Sequence, residues 1–187
     1  MFFEMLYKIP TSAWIAFSTA LLTSLITLLG VSLTNKSSNE RLKIQLAHEM
    51  AIRKDEMYRA RLEELYVESK KYIKAIITHF IPYRSVMAGD ITYNDALDIS
   101  LNKNYNHNAD RICLIIDMYF PELQERYLSI KKQLDVTSDI LHSYKAQYKS
   151  GITSGDNWID DFQESLDLLS TKAKKFEDQI SKIAKSL

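Results

Sequence analysis

The chain has 187 residues, with 24 basic and 24 acidic side chains and hence no net formal charge. That balance excludes a general nucleic-acid binder, which carries a basic excess, and a protein built to hold acidic partners. A single cysteine, Cys113, excludes an intrachain disulfide and with it a disulfide-stapled secreted domain, while 4 glycines and 3 prolines favour long helices over a turn-rich β fold.

After a short N-terminal segment (residues 1–10), no charged residue occurs between Lys8 and Lys36. As a helix, Thr11 to Thr34 would be ~36 Å long at 1.5 Å per residue, against a bilayer hydrocarbon core of roughly 30 Å. Residues 11–35 are therefore expected to form a transmembrane helix. A cleaved signal peptide fits less well, because its apolar region runs about 7–15 residues behind a basic start. Here the run is longer and the start sets Glu4 against Lys8, although Gly30 and Ser32 are small enough for a cleavage site. Tyr7 and Trp14 sit where interfacial aromatics belong. Lys8 and the amino terminus precede the span, whereas Lys36, Arg41, Lys43, Arg53 and Lys54 follow it. The positive-inside rule then puts the N-terminus outside and the C-terminal part in the cytoplasm, with the span in the inner (plasma) membrane.

Stepping through the span by three and four gives Ala13, Ala16, Ala20, Thr23, Thr27, Gly30 and Thr34, all small. The other sides carry Trp14, Phe17, Leu21, Leu22, Leu25, Ile26, Leu28 and Leu29. A small-residue stripe lets helix backbones approach closely, and a 3.5-residue period is that of left-handed pairing. The stripe favours self-association in the membrane. The rival reading is a lipid-facing anchor whose hydroxyls bond to their own backbone.

A charged juxtamembrane stalk is expected over residues 36–57. Ser37 with Glu40 fits a capping box, which predicts a fresh helix from about Asn39 to Phe80. Its first half is charge-dense. Glu49 lies four residues before Arg53 and Asp55 four before Arg59, with only Leu42, Leu46, Met50 and Met57 as an apolar seam. The second half has a fuller seam of Tyr58, Leu62, Leu65, Tyr72, Ile76 and Phe80, and Pro82 is expected to end it.

A short helix is predicted from Tyr93 to Leu101. The Asn-rich stretch 102–108 breaks the pattern, and Asn108 is placed to cap the next helix. From Ile112 through Ile116, Tyr119, Leu123, Tyr127, Ile130, Leu134, Leu141, Tyr144 and Tyr148 the apolar residues keep one phase across Pro121. Either Pro121 kinks one helix of about 41 residues, or it opens a new helix after a tight turn. Continuity of phase favours the kink. Gly151 and Gly155 mark the last connection, with Asp156 as a candidate cap. The final helix repeats Ile159, Phe162, Leu166, Leu169, Ala173, Phe176, Ile180, Ile183 and Leu187 at unbroken 3–4 spacing, as in coiled-coil packing. Acids gather at its start and lysines at its end, as the helix dipole prefers. The expected class is all-α: one N-terminal transmembrane helix, then an antiparallel bundle of three or four helices with coiled-coil character over residues 58–187.

Catalytic, cofactor and metal signals are missing. His48, His79, His107 and His142 stand at no recognised ligand spacing, and there is no P-loop, HExxH or GxSxG. One short pattern, "RLKIQLAH" from Arg41 to His48, resembles the R-x4-6-H signature of the HEPN ribonucleases, which are themselves helical bundles. That resemblance covers two positions and implies a His acid–base beside a cationic Arg. It departs from the family in placing them on the stalk rather than at a dimer cleft in the bundle. Asp117, alone in an apolar run, is expected to face outward, Cys113 to be a buried inert thiol, and the tyrosines to pack on the seams with hydroxyls at the rim. The functional expectation is a non-enzymatic single-pass membrane protein whose partners are the lipid bilayer and either another copy of itself or another protein, with neither nucleic acid nor a small-molecule substrate evident. A sharper version is a membrane-disrupting effector of a toxin or phage-defence system. The alternatives are a tethered HEPN-like ribonuclease using Arg41 and His48, and a passive coiled-coil scaffold.

Overall fold

The computed structural model describes residues 10–102 and 107–186, and every regular element among them is helical. In chain order these are α1 (Thr11–Met87), α2 (Tyr93–Leu101), α3 (Ala109–Tyr119), a 3-10 turn (Pro121–Leu123), α4 (Gln124–Lys149) and α5 (Ile159–Ser186). The chain divides into a unit ending at Lys54 and a compact unit beginning at Asp55.

In the first unit, the described residues are helix with every side chain exposed. It holds the one helix among the described residues that is long and apolar enough to cross a membrane, with a mean hydropathy of 1.9 in its most apolar window. The capping box expected at Ser37 and Glu40 does not form, because α1 passes through both residues without a break. No Gly or Pro lies between Gly30 and Pro82. Extending a helix costs far less than nucleating a new one, so a cap sequence alone does not stop it.

In the second unit, the expected helix end near Phe80 is also corrected. α1 continues through Pro82 to Met87. Proline removes one helical hydrogen bond, but Pro82, Tyr83, Val86 and Met87 are all buried, so the extra turn contributes core contacts that offset the loss. Gly89, with φ of 81°, then turns the chain.

Helix α2 occupies the expected residues. Its start is set by a capping box in which the Thr92 hydroxyl accepts from the Asp95 N–H and the Asp95 carboxylate accepts from the Thr92 N–H. Asn108 caps α3, its side chain accepting from the Arg111 N–H at 2.9 Å. The kink reading of Pro121 is overturned. Phe120 leaves helical geometry at φ −138° and ψ 58°, and Pro121 opens a 3-10 turn that leads into α4. The missing proline N–H costs nothing at the first position of a helix. The seam keeps its phase across the break because Phe120 and Leu123 are themselves buried.

Between α4 and α5 a turn from Gly155 to Trp158 replaces the expected Asp156 cap. The Asp156 carboxylate instead accepts from the Ser154 hydroxyl at 2.7 Å. Contacts between the two helices step in opposite senses along them: Thr137 with Ser165, Gln133 with Lys172, and Tyr127 with Phe176, with Gln147 meeting Trp158 of the turn just before α5. The shared core takes Leu62, Leu65 and Phe80 from α1, Ile112 and Ile116 from α3, Ile130 and Tyr144 from α4, and Phe162, Leu169 and Phe176 from α5.

Glu64 on α1 ties α3 to this core. Arg111 donates to it through Nε at 2.6 Å and a terminal nitrogen at 2.9 Å, and Arg61 donates at 2.7 Å. These hydrogen bonds, from Arg111 first and Arg61 second, pull the Glu64 carboxyl down to about 2 from 4.5. A depressed carboxyl stabilises the fold above its unfolded value, and that contribution disappears as pH falls through the folded one. Glu64→Gln is therefore expected to lower the thermal midpoint by a constant amount above pH 4.5, with the gap to the parent closing between 4.5 and 2. Calorimetry across pH reads this directly. A second expectation concerns Gly155, where a Cβ would collide with the Met87 backbone. Gly155→Ala should destabilise by about 1–3 kcal/mol in denaturant titration, as overpacking does, whereas Gly30→Ala, in open space, should not.

Candidate functional site

Two features invite a functional reading, and each is built by helix geometry. The first is the apolar stretch of α1. The small residues Ala13, Ala16, Ala20, Thr23, Thr27, Gly30 and Thr34 are all exposed, as are Trp14, Phe17, Leu22, Leu25 and Leu29 on the other sides. A shallow depression on this exposed helix is lined by Ala16, Thr19, Ala20, Thr23, Ser24, Thr27 and Leu28, and so includes but does not coincide with the stripe. The hydroxyls do not project as free donors. Thr23 donates to the Thr19 carbonyl, Thr27 to Thr23 and Thr34 to Gly30, each at 2.8 Å. Such back-bonding satisfies the proton of a hydroxyl in an apolar solvent and leaves its lone pairs as acceptors.

Arg41 and His48 are both exposed, two turns apart on α1. Asp117 is exposed, as expected, and Cys113 is only half-buried rather than fully buried. In α5, Phe162, Leu166, Leu169, Ala173, Phe176 and Ile180 are buried, while Ile159 and Ile183 are half-buried at the edge of the same core. Leu187 lies outside the described residues.

The second feature was not legible in the sequence. A shallow, largely open cleft of about 500 Å³ has His79, His107 and His142, three of the four histidines of the chain, among its lining residues. α1 supplies its apolar floor with Ala75, Ile76 and Phe80, and α4 adds Leu134 and Leu141. The polar wall is Asp135, Ser138 and Lys145 from α4 with Tyr83 and Tyr93. The positions follow from helix periodicity. Asp135, Ser138, His142 and Lys145 recur at three and four residues, and so stand on one stripe of α4. On α1, Ile76, His79, Phe80 and Tyr83 do the same.

Aromatic contacts hold the wall in place. The His79 ring packs against Phe80 and Tyr83 with centroids 5.3 and 5.6 Å apart, and its Nδ1 is paired with the Ser100 hydroxyl of α2. His107 packs on Tyr72 at 5.3 Å. Lys145 reaches over the Tyr93 ring, with its ammonium 5.8 Å from the centroid. No trio of His, Cys, Asp or Glu among the described residues has the geometry to hold a metal ion. The three imidazoles therefore line the cleft as separate hydrogen-bonding groups.

No family model, no curated protein and no solved structure matches this chain.

Burial pushes the His79 imidazole below its usual 6.5. A histidine with a lowered folded pKa favours the neutral form, so its contribution is complete above the unfolded value and is lost as pH falls below it. Thermal stability should thus decline on acidification below 6.5. His79→Gln, which keeps a partner for Ser100 but cannot take up that proton, should show a shallower decline over the same range.

Proposed function

We propose that this chain is a non-enzymatic single-pass membrane protein. Its α1 crosses the inner (plasma) membrane near the N-terminus, and its cytoplasmic unit is an antiparallel helical bundle that assembles with further copies or with a protein partner. One observation carries the membrane reading: every described residue from Pro10 to Met57 is exposed, including Trp14, Ile15, Phe17, Leu21, Leu22, Leu25 and Leu29. Left in water, each large apolar side chain costs about 1.5–3 kcal/mol relative to burial. Lipid is the solvent that removes that cost, and the back-bonded hydroxyls suit it. The orientation rests on Lys36, Arg41, Lys43, Arg53 and Lys54 against Lys8.

The assembly reading is supported by the depression whose lining includes Ala16, Ala20, Thr23 and Thr27 and by the stalk beyond it, where Leu42, Ile44, Leu46, Met50 and Ile52 are exposed. Small residues permit close backbone approach, and van der Waals contact is what holds helices together in lipid. The opposing steps of α4 along α5 support the bundle. Its coiled-coil character is suggested by the buried 3–4 spacing of α5.

Crosslinking in native membranes tests this proposal. In a Cys113→Ser background, Ala20→Cys and Thr27→Cys should form disulfide-linked dimers on oxidation, whereas Leu25→Cys and Leu29→Cys should not. Equal crosslinking at all four positions, or none at any, would remove the stripe as a contact surface and leave a plain anchor. Membrane depolarisation on expression separates the leak-forming version from a contact that only assembles.

A further inference from the structure

We infer that Lys36, Arg41 and Lys43 form a cationic collar that gathers anionic phospholipid headgroups around the end of the span. The inference rests on the membrane reading of α1 and deepens it, by naming the chemistry of the lipid that surrounds one end. Basic flanks orient a span as it inserts. The collar adds a standing attraction to the finished bilayer.

Three observations carry it. The first is position. α1 passes through Thr34 and on beyond Lys43 without a break. At 1.5 Å per residue, Lys36 stands about 3 Å, Arg41 about 10 Å and Lys43 about 14 Å beyond Thr34 along the axis. Side chains on a helix lean toward its N-terminus, here back toward the span, and the long basic stems extend that reach. The charges thus come to the headgroup layer, which adds roughly 5–8 Å to each side of the hydrocarbon core. The second observation is availability. All three residues are exposed, and none forms an ion pair among the described residues, whereas Arg53 further along faces Glu49 at 4.0 Å. Glu40 is the one acid between Lys36 and Lys43, so three basic residues against one acidic leave two positive charges. The third is distribution. Lys36 and Lys43 lie two turns apart on one face, and Arg41 is about 140° around the helix from Lys36. Charges on opposite flanks cannot close on a single free phosphate. They match a layer of anions that surrounds the helix, which is what an anionic leaflet presents.

Electron paramagnetic resonance of spin-labelled lipids tests this on the full-length chain in phosphatidylcholine bilayers. A trace of labelled phosphatidylglycerol or of labelled phosphatidylcholine is added, and lipid in contact with the span gives a motionally restricted component for either label. The expected result is a relative association about two- to fivefold higher for phosphatidylglycerol, because one basic residue at such a surface is worth a factor of about five and the preference is shared among several lipids. Raising the salt to about 1 M, where the screening length is about 3 Å, should remove most of that preference. The triple variant Lys36→Gln, Arg41→Gln, Lys43→Gln should equalise the two labels. Arg53→Gln, about 28 Å beyond Thr34, should leave the preference in place. Glutamine is as good a helix former as the residues it replaces, and circular dichroism of each variant checks its helix. Equal association of the two labels with the parent chain, or a preference that survives the triple substitution, would overturn the collar and leave the span standing. No restricted component for either label would instead remove the membrane reading, and the collar with it.

Discussion

The packing of the last turns of α1, from His79 to Met87, is the contact on which the compact unit depends. Phe80 meets Phe162 of α5 edge-on, with centroids 6.0 Å apart. Tyr83 packs on Tyr93 of α2, and the Tyr144 hydroxyl of α4 donates to the Thr153 carbonyl at 3.0 Å, with the Val86 carbonyl also in reach at 3.4 Å. Gly155 closes the α4–α5 connection against the Met87 backbone, where only a residue without a Cβ fits. Three helices and a loop thus fasten to nine residues. This explains why the helix tolerates Pro82. An interior proline, which loses one hydrogen bond and crowds the carbonyl four residues back, costs about 3 kcal/mol or more, whereas Tyr83, Val86 and Met87 contribute burial of about 1.5–3 kcal/mol each. The expectation that Pro82 would end the helix weighed local backbone chemistry without this tertiary term.

The same contrast separates what was legible in the sequence from what was not. Seams were legible, since burial repeats with the helix and leaves a period: Leu62, Leu65 and Ile76 on α1, or Phe162, Leu169 and Phe176 on α5, can be read without coordinates. Helix ends were legible where a cap coincides with a break, as at Asn108, and misread where it does not, as at Ser37. Pro121 shows a subtler failure. Phase continuity suggests continuity of the helix, but a seam can cross a break when the breaking residues are themselves core residues, and Phe120 and Leu123 are both buried. The cleft left no trace, because His79, His107 and His142 are contributed by three separate segments. Ligand spacing is a local signal, and this convergence is produced by the fold. The nearest clue was the three- and four-residue recurrence of Asp135, Ser138, His142 and Lys145 on α4, a polar stripe where solvent exposure alone would explain any such residue.

Between α4 and α5 the core admits polar groups and satisfies them. Gln133 donates to the Ser165 hydroxyl at 3.0 Å and accepts from the Lys172 ammonium at 2.9 Å, while Thr137 and Ser165 share a hydrogen bond of 2.7 Å. Gln133, Thr137 and Ser165 are all buried. Apolar residues of equal volume would hold the helices at least as strongly, since a paired buried polar group gains little net free energy. The cluster differs from an apolar core in its intolerance of slippage. Sliding α5 by one turn would strand the Gln133 amide without Ser165 and Lys172 at about 1–3 kcal/mol, while Thr137 keeps its bond to the Gln133 carbonyl. The apolar stripe of α5 keeps one spacing but varies in size, from Phe162 through Ala173 to Phe176, and the polar cluster adds a hydrogen-bonding constraint to that packing.

Along α1 the same logic of satisfied hydroxyls works to the opposite end. Thr19, Thr23, Ser24, Thr27 and Thr34 each donate to the carbonyl four residues back, so none needs an outside acceptor. In the α4–α5 core a hydroxyl bonded across helices specifies a neighbour. On α1 a hydroxyl bonded to its own backbone specifies none, and any partner there must be recognised by shape. Little is lost by that, because interhelical hydrogen bonds in membranes are worth only about 0.6 kcal/mol on average and close packing of small residues does most of the work.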